Sequence, residues 1–195
     1  QYARKAADFL KVWFLDAKTK MNPNLNYGQT IPGRRNGLGR GTGMIDTYCF
    51  VEMLDALALL DNSKAMTPAI KKGMKEWFTQ FVEWIQTSPV AAEEKAAKNN
   101  HGLAYDVQLT AYALYIGNKE LATQILKEFP EKRLFPQIEP DGKQPLELER
   151  TTAFGYTLFN LTHMLDMSFI ATTEGMDIYN AASRDGRSIT AALKF

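Results

Sequence analysis

The spacing of the apolar residues limits what this chain can fold into. Between residues 68 and 87, Ile70, Met74, Trp77, Phe78, Phe81 and Ile85 recur at three- and four-residue steps, the mark of a helix with one buried face. The same steps run through Ala6, Phe9, Leu10, Trp13 and Phe14, then Ile45, Cys49, Leu54, Leu57 and Ala58, and later Leu121, Ala122, Ile125 and Phe129. No convincing series of alternating apolar and polar residues, as strands would need, stands beside them. The expected fold class is all-α. Helices joined by short links bury their stripes against one another as antiparallel hairpins.

Punctuation in the sequence sets the expected boundaries. A loop rich in Asn, Pro and Gly occupies roughly residues 21 to 43, and the second helix ends near Asp61-Asn62. Thr67-Pro68 starts the next helix, since Thr caps free N–H groups and Pro suits the first turn. A short Ala-rich helix is expected at 89 to 98, and another from about 102 to 116, stopped by Gly117. Asn118 caps the one after it. The stretch PEKRLFPQIEPDGKQPLELE, with four prolines and a Pro-Asp-Gly turn signal, reads as irregular. Helix resumes near Arg150, reaches about Ile170, and a final one starts near Asp185. There is no fixed-period repeat, so an array of short repeats is not expected.

Composition narrows the function classes. Lys plus Arg number 23 against 22 Asp plus Glu, for a net charge of +1, which gives no electrostatic case for wholesale nucleic-acid or membrane-surface binding. A 45% hydrophobic content supports a real core, and 195 residues suit one domain. The one cysteine, Cys49, forbids an intrachain disulfide, and it is expected to pack as a small apolar residue. No apolar run approaches the roughly 20 residues of a membrane span. The chain opens at Gln1 inside a helical pattern and closes at Phe195 in another. It is therefore expected to be a fragment of a longer protein.

Several motifs invite chemistry. NGLGRGTG (36–43) suggests a phosphate loop, but neither Gly37 nor Gly39 starts a G-x-G-x-x-G, and no Lys-Ser/Thr follows. Its Arg40, with Arg34 and Arg35, either grips carboxylates bidentately or belongs to a plain solvated basic loop. The two histidines, His101 and His163, have no second ligand at a metal spacing, so no metal or cofactor is expected. His163 lies in an apolar helix and reads as a packing residue. His101 stands in KNNHG at a helix start, where Asn99 or Asn100 serves equally as a plain cap. Arg150 and Tyr156 are six residues apart, a spacing that does not stack two side chains on a straight helix; taken alone they read as a surface Arg and a half-buried core Tyr.

Taken together, Asn, His, Arg and Tyr suit one reaction. Cleaving a uronic-acid polymer without water means removing the proton at C5, which is weakly acidic beside a carboxylate. Asn and Arg donors on that carboxylate stabilise the enolate-like transition state. His and Tyr supply the base and the acid.

These residues carry a resemblance. GRGTGMID (39–46), NNHGLAYDVQ (99–108), PQIEPDGKQPLELERT (136–151), FGYTLFNL (154–161) and DGRSI (185–189) occur in the order seen in alginate lyase-type polysaccharide lyases. The resemblance implies an incomplete (α/α) toroid of helical hairpins, with residues 1–195 as one catalytic domain. It implies Asn100 and Arg150 on the uronate carboxylate, His101 as base where the C5 proton lies opposite the leaving oxygen, and Tyr156 as acid to O4. Where proton and oxygen share a side, Tyr156 serves as both. Arg40, Tyr105, Gln137, Gln144 and Glu147 are the expected substrate-binding residues. The expected partner is an acidic polysaccharide, with alginate first and glucuronan or another uronate polymer as alternatives. A helical protein that binds acidic glycans without turning them over is the remaining alternative. The implied location is periplasmic or secreted. Two positions depart from the family's usual pattern: Gly155 stands where a histidine often precedes the tyrosine, and Ala104 where a bulky aromatic is common.

Overall fold

The computed structural model describes residues 1–195. Its regular elements are all helical, with no strand. In chain order they are α1 (Tyr2–Leu10), α2 (Cys49–Leu60), α3 (Pro68–Thr87), α4 (Pro89–Ala96), α5 (Asn100–Ile116), α6 (Lys119–Phe129), the short α7 (Phe135–Gln137) and α8 (Pro145–Leu148), then α9 (Ala153–Thr173) and α10 (Ile189–Lys194). No helix is long and apolar enough to cross a membrane. The chain forms two compact units, residues 1–93 with 112–118, and residues 94–111 with 119–195.

The first unit is built on α3. Thr67 caps it by accepting a hydrogen bond from the Ile70 N–H, and Pro68 opens its first turn. Its buried face carries Ile70, Met74, Trp77, Phe78, Phe81, Val82 and Ile85, the expected stripe. Trp77 meets Phe14 edge to face at 4.9 Å and Phe78 meets Tyr112 at 5.2 Å, spacings at which aromatic pairs attract beyond their buried area. The α3 indoles also pin the long loop. Trp77 Nε1–H donates to the Met21 carbonyl and Trp84 Nε1–H to Asn26 Oδ1, each at 2.8 Å.

Expectations for both flanking helices are corrected here. After α1 the chain enters a wider π-type turn at Lys11–Leu15, and the buried positions keep ordinary helical steps of three and four across it. The buried residues are Ala7, Leu10 and Phe14, while Phe9 and Trp13 are more than half exposed. Before α2, Gly41–Thr47 is a tighter 3-10 turn, so Cys49 rotates outward and is exposed. The inward face of α2 is Val51, Leu54 and Leu57.

In the second unit, α6 buries Ala122, Ile125 and Phe129 as expected, with Leu126 beside them, while Leu121 is half-buried. The stretch expected to be irregular is partly helical, because Pro130 and Pro145 open short helical turns and Pro136 lies within another, the first-turn placement that proline tolerates. Glu139 to Gly142 is the expected turn, closed by the Gly142 N–H to the Glu139 carbonyl at 2.9 Å. Gly142 has φ +92°, and a Cβ there would lie 2.2 Å from the Ala191 carbonyl, so no other residue fits. Arg187 donates to the Ile138 carbonyl at 3.0 Å, holding the turn's entry. The last helix starts at Ile189, not near Asp185, because Ser188 is its cap and accepts from the Ala191 N–H.

Candidate active site

The second unit holds a tight corner where α4 ends and α5 begins. Asn99 caps α5: its Oδ1 accepts the His101 N–H at 3.3 Å, and its carbonyl accepts the Gly102 N–H at 3.0 Å. A Cβ on Gly102 would lie 2.1 Å from the Ala97 carbonyl oxygen; only glycine lets the end of α4 come this close. Arg133 clamps the corner. Its guanidinium donates to Asp106 Oδ2 at 2.7 Å and to the carbonyls of Ala97 and Lys95 at 2.8 Å each. Arg133 and Asp106 are almost wholly buried, so each charge depends on the other.

The corner presents Asn100 and His101, and each is held by a buried carboxylate from elsewhere in the unit. Glu147, on α8, accepts the Asn100 backbone N–H at 2.8 Å with one oxygen and the Asn100 Nδ2 at 2.7 Å with the other. A negative group on a free N–H at the start of α5 also meets the helix dipole favourably. Glu94, on α4, lies 2.6 Å from Nδ1 of His101 and is 1% exposed. His101 is partly open to solvent.

Glu147 also leads to the second pair. Its carbonyl accepts the Arg150 N–H at 3.1 Å, so Asn100 and Arg150 flank one residue. Helix α9 starts at Ala153, after Arg150, which resolves the awkward six-residue spacing. The Arg150 guanidinium lies over the Tyr156 ring, 4.0 Å from its centre, in a cation–π contact. That contact leaves guanidinium N–H groups to donate to an anion.

One turn beyond Tyr156, Asn160 is fully buried, and its Nδ2 donates to Gln144 Oε1 at 2.8 Å and Gln137 Oε1 at 3.2 Å. Asn160 Oδ1, Gln144 Nε2 and Asn100 Oδ1 are enclosed without hydrogen-bond partners. Next on that helix, His163 is buried against Phe159, ring centres 4.3 Å apart. Burial, and then the charge of His101, push its pKa down to about 3. It stays neutral and packs, as its apolar setting suggests.

The candidate residues thus separate into two groups. Asn100, His101, Arg150 and Tyr156 lie on elements joined through Glu147, with Asn100 fully buried. Tyr105, Gln137, Gln144 and Glu147 are buried as well, and Glu147, Gln137 and Gln144 hold other side chains. Burial raises the Tyr105 phenol to about 12, so it stays protonated. Arg40 lies in the first unit, its Nη2 on Gln29 Oε1 at 2.8 Å. Arg35, from the same loop, pairs with Glu93. Sequence reasoning passed over Glu94, Arg133 and Asn160. Glu94 sits in an Ala-rich stretch whose periodicity is weak, and only the turn between α4 and α5 brings it to His101.

The arrangement offers a guanidinium, an amide, an imidazole held at one nitrogen, and a phenol. No curated protein sequence matches the chain. A crystal structure of an alginate lyase from Bacteroides ovatus is similar, at 77% identity and a TM-score of 0.98, covering 100% of this chain and 51% of that one. The chain therefore spans about half the length of that relative. The alginate lyase family model matches residues 1–195, and the chain belongs to the alginate lyase family.

Proposed function

We propose that this chain carries the β-elimination site of a polysaccharide lyase that cleaves a uronic-acid polymer, alginate foremost, and leaves 4,5-unsaturated uronate ends. The observation that carries the reading is the junction at Glu147, which ties Asn100 to the turn bearing Arg150, itself over the Tyr156 ring.

The chemistry follows from the groups present. The uronate carboxylate meets the Arg150 N–H groups and the second Nδ2 hydrogen of Asn100, since Glu147 engages only the first. These donors hold the charge that moves onto the carboxylate as the C5 proton leaves. His101 takes that proton when it lies opposite O4, as in guluronate linkages. Tyr156 takes it when the two share a side, as in mannuronate or glucuronate linkages. The C5 electron pair then forms the C4–C5 double bond, the C4–O4 bond breaks, and the Tyr156 hydroxyl protonates O4. No water is consumed. Glu147 orients Asn100, Gln137 and Gln144 hold Asn160 one turn beyond Tyr156, and Tyr105 is buried in the same unit. Arg40 contributes to holding the acidic polymer, and such a substrate suits a periplasmic or secreted enzyme.

Tyr156→Phe tests the reading, because it removes one oxygen and its proton while keeping the ring beneath Arg150. Turnover of alginate, followed by the ultraviolet absorbance of unsaturated ends, should vanish while oligosaccharide binding stays within a few-fold. An active variant would show that Tyr156 is not the acid. A panel of mannuronate, guluronate and glucuronate oligomers assigns the preferred linkage, and binding without an unsaturated product on any of them would point to a glycan-binding protein.

A further inference from the structure

We infer that Glu94 is a positioning residue for His101: its carboxylate fixes the proton on Nδ1 and so leaves Nε2 as the atom that receives the C5 proton. The inference rests on reading His101 as a base.

Glu94 is 1% exposed, and a buried carboxylate needs a partner. Its one side-chain partner in the structure is His101 Nδ1, 2.6 Å away. An ionised carboxylate only accepts hydrogen bonds. Two acceptors so close would repel, so the hydrogen between them belongs to Nδ1. A neutral imidazole carries one ring proton, and Nε2 is then a lone pair. The imidazole also cannot rotate about its ring axis without abandoning the carboxylate. When Nε2 gains a proton, the new positive charge lies beside Glu94, already in place and shielded from water. The corner keeps that geometry. Glu94 lies on α4, and Arg133 grips the Lys95 and Ala97 carbonyls just after it, while Asn99 caps the turn that presents His101. Glu147 meanwhile holds neighbouring Asn100, so the two site residues are oriented independently.

The test is nitrogen-15 NMR of the two histidine rings in the full chain, assigned with His163→Gln, together with kinetics on the linkage that His101→Ala impairs most. In the wild-type protein with a neutral ring, His101 should show a protonated Nδ1 and an unprotonated Nε2. Glu94→Ala should give averaged shifts from two exchanging tautomers. Its kcat should fall about 10–100-fold with KM nearly unchanged, the scale expected when a partner that orients an imidazole is lost. Glu94→Gln, which keeps an acceptor but not the charge, should restore the tautomer and part of the rate. A wild-type ring protonated on Nε2, or a tautomer indifferent to Glu94→Ala, overturns the inference. If His101→Ala is inactive and Glu94→Ala is not, the inference alone fails. If His101→Ala is fully active on every linkage, the reading of His101 as base fails and this inference with it.

Discussion

Replacing Arg133 with Met should be the most destabilising single change at the corner that carries Asn100 and His101. Methionine keeps much of the stem's volume and removes only the charged head. Four N–H contacts disappear: two to Asp106, at 2.7 and 3.4 Å, and one each to the Ala97 and Lys95 carbonyls at 2.8 Å. Asp106 has a 3% exposed side chain and is left as a buried charge without its cation. Breaking such a pair from one side costs about 3–5 kcal/mol, a large share of the roughly 5–15 kcal/mol that holds a typical domain folded. The double variant Arg133→Met/Asp106→Leu removes both charges, and Leu nearly matches the shape of Asp. It should recover most of the loss, apart from the two carbonyls that have lost their donor. Urea unfolding followed by far-ultraviolet circular dichroism measures both, with the midpoint as the readout. A loss below about 1 kcal/mol for Arg133→Met, or a double variant no more stable than the single one, would refute the claim that this ion pair holds the corner.

Three further outcomes follow from the same structure. His163 has its pKa lowered from 6.5 to about 3, so the unfolded chain takes up this proton first as pH falls; its contribution is complete above pH 6.5 and is lost between there and about pH 3, roughly 2 kcal/mol by pH 5. Unfolding titrations should show that slope and His163→Gln should flatten it; an unchanged slope would rule the buried imidazole out as its source. Gly155 is exposed on α9, and an added Cβ meets nothing within 4 Å, so Gly155→Ala should raise stability by about 0.4–1 kcal/mol in thermal unfolding, whereas a lower melting temperature would contradict the open helical setting. Asn99→Ala should cost about 0.5–2 kcal/mol as a lost cap and leave most activity, while Asn100→Ala should remove most turnover; the reverse ranking would exchange their roles.

The helical architecture was legible because helix periodicity is local. The α3 stripe, the Thr67-Pro68 start and the Pro-Asp-Gly turn all stand where their side-chain chemistry puts them. Which side of an apolar run turns inward was less legible: Phe9 and Trp13 adjoin Leu10 and Phe14 in sequence but stand on the exposed side, and Cys49 follows a 3-10 turn at Gly41–Thr47 whose pitch a single period does not register. At the candidate site, residue types were more legible than their settings. Asn100, His101, Arg150 and Tyr156 stand out by chemistry, but Glu147 seemed a substrate contact until its two bonds to Asn100 were visible. Glu94 and Arg133 were silent, since an acidic residue in an Ala-rich helix and a basic one after a proline are ordinary surface residues until folding buries them.

Elimination, not hydrolysis, is the proposed way in which this site breaks a glycosidic bond. Mass spectrometry of defined uronate oligomers, cleaved by the chain in water enriched in oxygen-18, reads that directly. Elimination breaks the bond between C4 and O4 without consuming water, so one fragment should carry an unsaturated end lighter by one water than a hydrolysis product, and neither should gain heavy oxygen in the cleavage step. A saturated pair of products with heavy oxygen built in at cleavage would contradict the account.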